Sequence, residues 1–219
     1  MTPIAGEPRD LCSLPPREQV ACTGMLSIRR PSEASVRSLL DRCRDATFSY
    51  PEVGATRALA AGGDAPRGYA IDHNRVMLGR GASVFERATA ALRRWEGFRL
   101  GWVELCYPDA PAEPGTNVGV LVNLLGVWSL NINRIVYTFD ERADGLRRAG
   151  FAYGTLTEHA ERGEERFTIE LNEAEDRVYY DILAFSRPNQ AFAKAGYPLA
   201  RLLQRRFAKG SLRAMQRLG

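Results

Sequence analysis

Three side chains near the middle of the sequence, Tyr153, His159 and Glu165, could take part in acid–base chemistry. A glutamate can act as a general base, a histidine holds a proton near neutral pH, and a tyrosine hydroxyl can donate to either. We take these three residues as the candidate catalytic set. Because the three residues lie in one short segment, the secondary structure of that segment decides whether their side chains come into contact.

Glu165 stands out by its phase along a predicted strand. Over residues 165–171 it alternates in step with Phe167, Ile169 and Leu171, so it shares their apolar face. A carboxylate on an apolar face costs several kcal/mol unless it is paired or protonated. Two interpretations follow: Glu165 belongs to a ligand pocket or buried ion pair, or the strand frays there and leaves it in water.

His159 lies in the predicted link between two strands, with glutamates close by. These carboxylates could keep a proton on the imidazole, or they could simply keep a solvated turn soluble. On the preceding strand, Tyr153 and Thr155 share one face and could point polar tips into a cavity. The alternative is that both belong to a surface stripe.

Arg134 is a candidate ligand anchor because it lies between apolar residues on the predicted strand 127–139. A guanidinium in such a place often holds a ligand carboxylate, although it could also neutralise Glu165 or Glu104, or lie on the outer face of the sheet. Four aromatic residues, Trp102, Trp128, Tyr137 and Tyr179, offer surface that suits a flat ligand, unless they only fill the core. The predicted ligand-binding residues are Arg134, Trp102, Tyr137, Thr155 and Trp128.

The hydrophobic pattern predicts an antiparallel sheet that positions these residues. From about residue 100 onward, apolar and polar residues alternate with the period of strands, and short polar or glycine-containing links separate the runs. Short links favour antiparallel pairing, because parallel strands need longer crossovers. The predicted strands are residues 25–30, 69–78, 100–106, 117–125, 127–139, 150–157, 165–171 and 177–185.

Helical spacing of apolar residues predicts three helices. Ser32 caps the first, and the second covers residues 83–95. The third begins near Ala191 and carries a single apolar face made of Phe192, Leu199, Leu202, Leu203, Phe207, Leu212 and Met215. A curved sheet must cover one face, and this last helix is its natural cover. The space between them is a typical place for a small ligand.

The composition predicts one domain. A chain of 219 residues with 45% hydrophobic and 26% charged residues is ordinary for a single globular unit. We expect a flexible tail over residues 1–23, which contain four prolines, and one domain over residues 24–219. Residues 46–68 are rich in Pro, Gly and Ala, which predicts a long loop that could serve as a lid.

Several function classes are disfavoured by the sequence. The net charge of +4 comes without a basic stripe interleaved with aromatics, so we expect no nucleic-acid partner. The longest apolar run, residues 118–130, is shorter than the roughly 20 residues that span a bilayer, and no secretory signal is visible. Four cysteines without paired spacing predict thiols rather than a zinc site. We therefore expect a soluble cytoplasmic protein without metal or cofactor.

Three segments are distinctive at the level of residues: 151–167 (FAYGTLTEHAERGEERF), 178–188 (VYYDILAFSRP) and 197–207 (YPLARLLQRRF). Together they resemble the domain of unknown function 1990 family of bacteria and plants, and the likeness runs from about Met25 to Met215. That family typically has glycine just before the histidine. Here Glu158 occupies that place, which puts the shape of the local turn in doubt.

The resemblance implies membership of the START-like (SRPBCC) superfamily, which includes lipid carriers, plant hormone receptors and aromatic polyketide cyclases. It implies an α+β helix-grip fold, with a curved antiparallel sheet wrapped around a long C-terminal helix, but no particular reaction. The expected function is binding of a small apolar or amphiphilic molecule in the internal cavity. The alternative is a cofactor-free cyclase, dehydratase or isomerase acting on a polyketide-like or aromatic substrate there.

Overall fold

A computed structural model describes residues 24–107, 109–157, 161–188 and 191–218, with side chains of the last range described from Pro198 onward. It shows an α+β protein with eight strands and four α-helices in the described residues. In chain order they are β1 Met25–Ser27, α1 Glu33–Arg42, α2 Ala55–Ala60, β2 Ala70–Arg80, α3 Ala82–Arg93, β3 Val103–Cys106, β4 Asn117–Leu124, β5 Val127–Ala143, β6 Leu146–Thr155, β7 Glu161–Asn172, β8 Arg177–Pro188 and α4 Ala191–Gln216.

All eight strands form one antiparallel sheet in the order β2-β8-β7-β6-β5-β4-β3, with the short β1 added beside β5. Helices α3 and α4 cover one face, which we call the inner face, while α1 and α2 cover the other, the outer face. The long C-terminal helix lies against the inner face of the curved sheet. The predicted helix-grip arrangement is therefore confirmed.

Two hairpins are closed by two-residue turns in which both residues have positive φ. Asp144 and Gly145 have φ of 54° and 72°, and Leu125 and Gly126 have φ of 51° and 87°. Such turns match the right-handed twist of the flanking strands, and aspartate followed by glycine is a preferred pair. The strand predicted to end at residue 139 therefore continues to Ala143, because the reversal needs only two residues.

The inner face is filled by aromatic rings toward one end of the sheet. The ring centroids of Trp95 and Phe151 are 4.6 Å apart, and those of Phe98 and Phe167 are 5.4 Å apart. Phe207 of α4 joins them, 5.1 Å from Phe98. These tilted contacts are favourable beyond the area they bury. At this end the space between α4 and the sheet is solid core.

Helix α4 packs closely through its C-terminal half and loosely before it. The hydroxyls of Ser211 and Tyr180 are 2.9 Å apart, and a Cβ on Gly97 would lie 2.7 Å from the Ser211 hydroxyl, so glycine is needed there. By contrast, Leu199 and Leu202 are 50% and 61% exposed. The prediction of one continuous buried face was wrong for these two leucines, because they lie on a side of the helix that is exposed and does not line the cavity.

Helix α1 seals a second hydrophobic core on the outer face. Ser32 caps it as predicted, accepting a hydrogen bond from the backbone N–H of Ser35. At its other end Cys43 is disulfide-bonded, so the thiol prediction is wrong for this residue, whereas Cys106 is free. The buried members of this core are Val36, Leu39, Cys43, Leu121, Leu130, Ile132 and Leu156.

The segment 46–68 is attached to the outer face through the buried carboxylate of Glu164. The Tyr50 hydroxyl donates to it at 2.8 Å, and the backbone N–H groups of Gly54 and Thr56 donate at 2.7 and 3.0 Å. The Thr56 hydroxyl donates as well. Helix α2, which lies in this segment, is too short to show a hydrophobic period. Its contacts place it on the face opposite α4.

We predict that Glu164→Gln lowers the free energy of unfolding by about 1.5–3 kcal/mol, because hydrogen bonds to a charged acceptor become bonds to a neutral amide. Urea denaturation measures the change, and trypsin digestion should show faster cleavage within residues 46–68. The matched control is Glu113→Gln, an exposed glutamate, which should leave both readouts unaltered. Equal stability of the two variants would remove the anchoring role of Glu164.

Candidate ligand cavity

An open cavity of about 690 Å³ lies between the inner face of the sheet and the first half of α4. Its walls come from β2 to β8, β1 and α4, and are mainly apolar. The apolar lining residues include Val103, Val120, Val122, Leu124, Val127, Ile182, Ala184, Phe185, Ala200, Leu203, Phe207 and Ala208. The aromatic core described above closes one end of this space.

Four residues form a row across the cavity wall, fixed by the register of adjacent strands. Asp72 of β2 pairs with Ala184 of β8, which pairs with Glu165 of β7, which in turn pairs with Tyr153 of β6. Directly paired residues in antiparallel strands point to the same face. The backbone pairing therefore brings two carboxylates and a phenol from distant parts of the chain onto one wall.

The phenol of Tyr153 donates a 2.8 Å hydrogen bond to Oε2 of Glu165. Burial raises the pKa of Glu165 to about 7; the bond from Tyr153 opposes this shift, and the carboxylates of Asp72 and Glu161 add to it. Burial and the adjacent carboxylate also raise the pKa of Tyr153 well above its usual range. At neutral pH the pair therefore holds a neutral phenol and a carboxyl group poised between its two charge states.

Helix α4 reaches across the cavity to the other two carboxylates. Nη1 and Nη2 of Arg201 both donate to Asp72, Nη2 at 2.7 Å, and the amide of Gln204 donates to Glu161 at 2.6 Å. Burial raises the pKa of Glu161, opposed by its bond to Gln204. Because these contacts join α4 to β2 and β7, they fix the height of the helix above the cavity.

Exposed apolar side chains rim the mouth of the cavity. Leu125, at the tip of the β4–β5 hairpin, is 98% exposed, and Leu26 on the adjacent β1 is 75% exposed. On the helix side, the guanidinium of Arg206 lies 4.4 Å from the ring centroid of Trp102, which lines the cavity. A ligand entering here would meet an apolar lip before it reached the carboxylates.

Four of the predicted site residues line this cavity: Glu165, Tyr153, Thr155 and Trp102. The structure brings Glu165 and Tyr153 into direct contact, which excludes the interpretation of a frayed, solvated Glu165. His159 lies outside the described residues. The catalytic and ligand-binding roles of these side chains stay predictions, since their position alone does not test them.

Arg134 does not face the cavity. Asn133, its neighbour on β5, lines the cavity, and Arg134 points to the opposite face. There its guanidinium donates to the carbonyl oxygens of Ala46 at 2.6 Å and of Cys43 and Arg44 at 2.8 Å. These carbonyls follow the end of α1, where helical partners are missing. The assignment of Arg134 as a ligand anchor is therefore corrected to a structural cap.

Tyr137 and Trp128 also lie away from the cavity. The hydroxyl of Tyr137 is 2.7 Å from that of Thr56 on α2, and the ring lies against Arg57 on the outer face. Trp128 packs against the outer core around α1. An irregularity in β5 between Ile135 and Tyr137 shifts the alternation, which a strict two-residue period could not reveal.

Among the cavity residues that were not predicted as site residues, three take part in the hydrogen bonds that join α4 to the sheet: Asp72, Glu161 and Gln204. Asp72 lies in β2 at the start of a polar run, followed by His73 and Asn74, so the sequence shows no apolar alternation that would assign it to a face. Gln204 was missed because only the apolar residues of the C-terminal helix were used to assign its faces. Pairing of β2 with β8 would have suggested Asp72, since that pairing sets it in line with Glu165.

Neither a metal site nor a membrane-spanning helix is found among the described residues. Within the residues that the structure describes, no group of three or more His, Cys, Asp or Glu side chains is arranged to hold a metal ion. Over the same residues, no helix has the length and apolar character needed to cross a bilayer.

The architecture defines this chain as a helix-grip α+β protein with a cavity under its C-terminal helix. Residues 49–214 match the family described as domain of unknown function (DUF1990), and the chain belongs to that family. A UPF0548 protein of Dictyostelium discoideum is 34% identical over 203 residues, covering 87% of this chain and 94% of the relative. One from Deinococcus radiodurans is 35% identical over 204 residues, covering 88% and 98%.

Two solved structures align with about two thirds of this chain at low sequence identity. The crystal structure of Ara h 8.0201 covers 68% of this chain and 98% of its own, with a TM-score of 0.43 and 10% identity. A point mutant of Thalictrum flavum norcoclaurine synthase, in complex with a transition-state analogue, covers 69% and 97%, with a TM-score of 0.40 and 10% identity.

The raised pKa of Glu165 predicts a specific pH dependence of stability. Between its ordinary value of 4.5 and about 7, the folded chain keeps a proton that the unfolded chain releases. Glu165 therefore lowers stability progressively as pH rises through this window. We expect the difference in melting temperature, Glu165→Gln minus the native chain, to increase from pH 4.5 to pH 7.5. Thermal denaturation of both proteins across this pH range measures it.

Glu113→Gln serves as the control for this series, since that side chain is exposed. Its melting temperature should track that of the native chain at every pH. If the difference in melting temperature between Glu165→Gln and the native chain were independent of pH, the Glu165 carboxyl group would have an ordinary pKa. The buried environment described for it would then be wrong.

Proposed function

We propose that this protein binds a small apolar or amphiphilic molecule in the cavity between the sheet and α4. The observation that carries the proposal is the open space of about 690 Å³ with mainly apolar walls. Ligand sites commonly occupy roughly 300–1,000 Å³ and combine apolar lining with a few placed polar groups. Transfer of apolar ligand surface from water into such walls supplies the driving force.

The carboxyl groups that line the cavity lie together on one side of it, which suits an amphiphile. The carboxyl groups of Asp72, Glu161 and Glu165 lie along β2 and β7, while the walls from β3 and β4 are lined by valine and leucine. A bound molecule would therefore place its polar end toward β7 and its apolar body toward β3 and β4. The exposed leucines at the mouth provide an entry route.

Filling the cavity tests this proposal. Ala184 lines it between Asp72 and Glu165, so Ala184→Phe places a ring where a ligand would lie. We expect the affinity for the neutral fluorescent probe N-phenyl-1-naphthylamine to fall about tenfold or more, because overpacking opposes a second occupant. Fluorescence titration measures the affinity.

The matched control is Ala143→Phe, an exposed position at the end of β5, which should bind the probe as the native chain does. Native mass spectrometry of the purified protein should in addition detect a bound small molecule that Ala184→Phe no longer retains. Undiminished probe binding by Ala184→Phe would contradict the proposed site.

A second candidate function is a cofactor-free enzyme, and the contact between Tyr153 and Glu165 favours it. A carboxyl group with a pKa near 7 is suited to accept and return a proton at physiological pH. Its phenol partner, 2.8 Å away, could orient it or donate to a developing oxyanion. Cyclisation, dehydration and isomerisation are reactions that such a pair could support without a cofactor.

Glu165→Gln separates the two candidates once a ligand has been recovered. If the protein is an enzyme, we expect the variant to retain ligand binding but to lose at least about 100-fold in turnover, in line with loss of a general base. The measurement is product formation by mass spectrometry after prolonged incubation. A carrier would leave the ligand chemically unchanged with either protein.

The partners and location of the protein stay proposals. We infer that it has no nucleic-acid partner, because two of its C-terminal arginines are engaged at the cavity: Arg201 with Asp72 and Arg206 with Trp102. The sequence favours a cytoplasmic location, and the disulfide at Cys43 weighs against it because a reducing cytosol disfavours such bonds.

A further inference from the structure

We propose that the open end of the cavity docks onto a bilayer surface that carries anionic phospholipids. The docking surface is built on four exposed apolar side chains around the mouth, which we call the apolar lip: Leu26, Ile28, Leu125 and Val127. The inference goes beyond the proposed function, because it concerns the surface of the protein and holds whichever molecule the cavity binds.

The residues of the apolar lip come together because β1 lies beside the β4–β5 hairpin. Ser27 pairs with Trp128 in antiparallel register, so the chain continues from Ser27 to Ile28 alongside Val127 at the base of the hairpin. Ile28 is 85% exposed and Val127 is 46% exposed. Apolar side chains grouped on a surface in this way mark a site of interaction with another body.

Leu125 is the residue of the lip that the fold itself explains least. It has a φ of 51° in the two-residue turn of its hairpin, a conformation that favours Asn, Asp or Gly and disfavours a bulky side chain. The equivalent turn between β5 and β6 uses Asp144. Because Leu125 is 98% exposed, contacts within the chain do not offset this cost. A leucine in this place is accounted for by a partner outside the chain.

Positive charge flanks the apolar lip. Arg29 directly follows Ile28. Arg205 of α4 lines the cavity together with Leu26 and Leu125. Both arginines are exposed, and neither has an ion-pair partner in the part of the chain that the structure describes. Two guanidinium groups beside exposed leucines are suited to a surface that is apolar inside and anionic at its boundary.

Acidic residues leave these two arginines unopposed. The carboxyl groups that line the cavity belong to β2 and β7, whereas the lip belongs to β1 and the β4–β5 hairpin. On the neighbouring β3, Glu104 accepts a bond from Arg30 and is thereby neutralised. The net charge of +4 over the whole chain adds a long-range attraction toward an anionic surface.

A second copy of the chain suits this surface less well than a bilayer does. A two-fold contact through the lip would bring Arg29 and Arg205 toward the same arginines of the other copy, and the like charges would repel. Anionic headgroups instead attract both arginines, while the boundary of the acyl chains accepts the apolar side chains.

Vesicle binding by the full chain tests the inference. Vesicles of phosphatidylcholine alone, and of phosphatidylcholine and phosphatidylglycerol in equal parts, are mixed with the protein, and sedimentation measures the bound fraction. We expect binding to the mixed vesicles to be about tenfold tighter or more, since each arginine near an anionic surface contributes about fivefold. Raising the salt concentration from about 0.1 M to about 1 M should remove most of this preference.

Leu125→Asp should weaken binding to the mixed vesicles about tenfold or more, because a carboxylate that the headgroups repel replaces an inserted leucine. Aspartate tolerates positive φ, so the variant should melt no lower than the native chain, which separates loss of docking from loss of fold. The matched control is Leu218→Asp, an exposed leucine beyond the C-terminal end of α4, which should bind vesicles as the native chain does.

Further variants separate the apolar contribution from the charge. Arg29→Gln and Arg205→Gln should each weaken binding to the mixed vesicles about fivefold and leave binding to phosphatidylcholine vesicles unaltered. Leu125→Trp keeps an apolar side chain at the hairpin tip, so it should bind the mixed vesicles as the native chain does. Its tryptophan emission should move to shorter wavelength when these vesicles are added, by more than that of the native chain.

Two results would overturn the bilayer inference: a native chain that stays in the supernatant with the mixed vesicles, or Leu125→Asp binding them as tightly as the native chain. The inference also fails if the native chain is a dimer that Leu125→Asp converts into monomers, because a second copy would then cover the lip. Binding of N-phenyl-1-naphthylamine in solution, without vesicles, decides the ligand-binding proposal independently of these results.

Discussion

The attachment of α4 to the sheet is the interaction on which the rest of the structure depends. Its C-terminal half packs into solid core, where the Ser211 and Tyr180 hydroxyls meet at 2.9 Å. Its first half is held off the sheet by polar contacts, those of Arg201 with Asp72 and Gln204 with Glu161. Polar side chains of this length span a gap that packed leucines would close, so the cavity exists because this half of the helix is tethered rather than packed.

The same tethering explains why carboxyl groups persist on an otherwise apolar wall. Burying a charge is costly unless it is bonded or protonated, and each carboxyl group meets this demand differently. Asp72 has a guanidinium, Glu161 an amide, and Glu165 a phenol together with a pKa of about 7. Such an arrangement is unfavourable for stability alone. It is consistent with a wall that recognises the polar end of a ligand or moves a proton.

The outer face follows a contrasting rule, because its charged groups at Glu164 and Arg134 join elements of the fold to one another. Glu164, adjacent in sequence to Glu165, accepts bonds from Tyr50, Gly54 and Thr56 and joins the N-terminal segment to the sheet. Arg134 joins the end of α1 to β5 in the same way. Two neighbouring glutamates thus have separate tasks because successive residues of a strand point to opposite faces.

The sequence by itself determined the order of the strands and of the three longer helices, the antiparallel sheet and the phase of Glu165 with the apolar residues of its strand, because hydrophobic period and turn chemistry are local properties. It also placed Tyr153 and Thr155 on one face, and both line the cavity. Only the tertiary structure decided that Asp72 stands in line with Glu165, that Arg134 caps a helix and that Tyr137 faces outward past an irregularity in β5. These features depend on which strands are neighbours and on a shift of register in β5. Neither can be predicted from the spacing of residues along the chain.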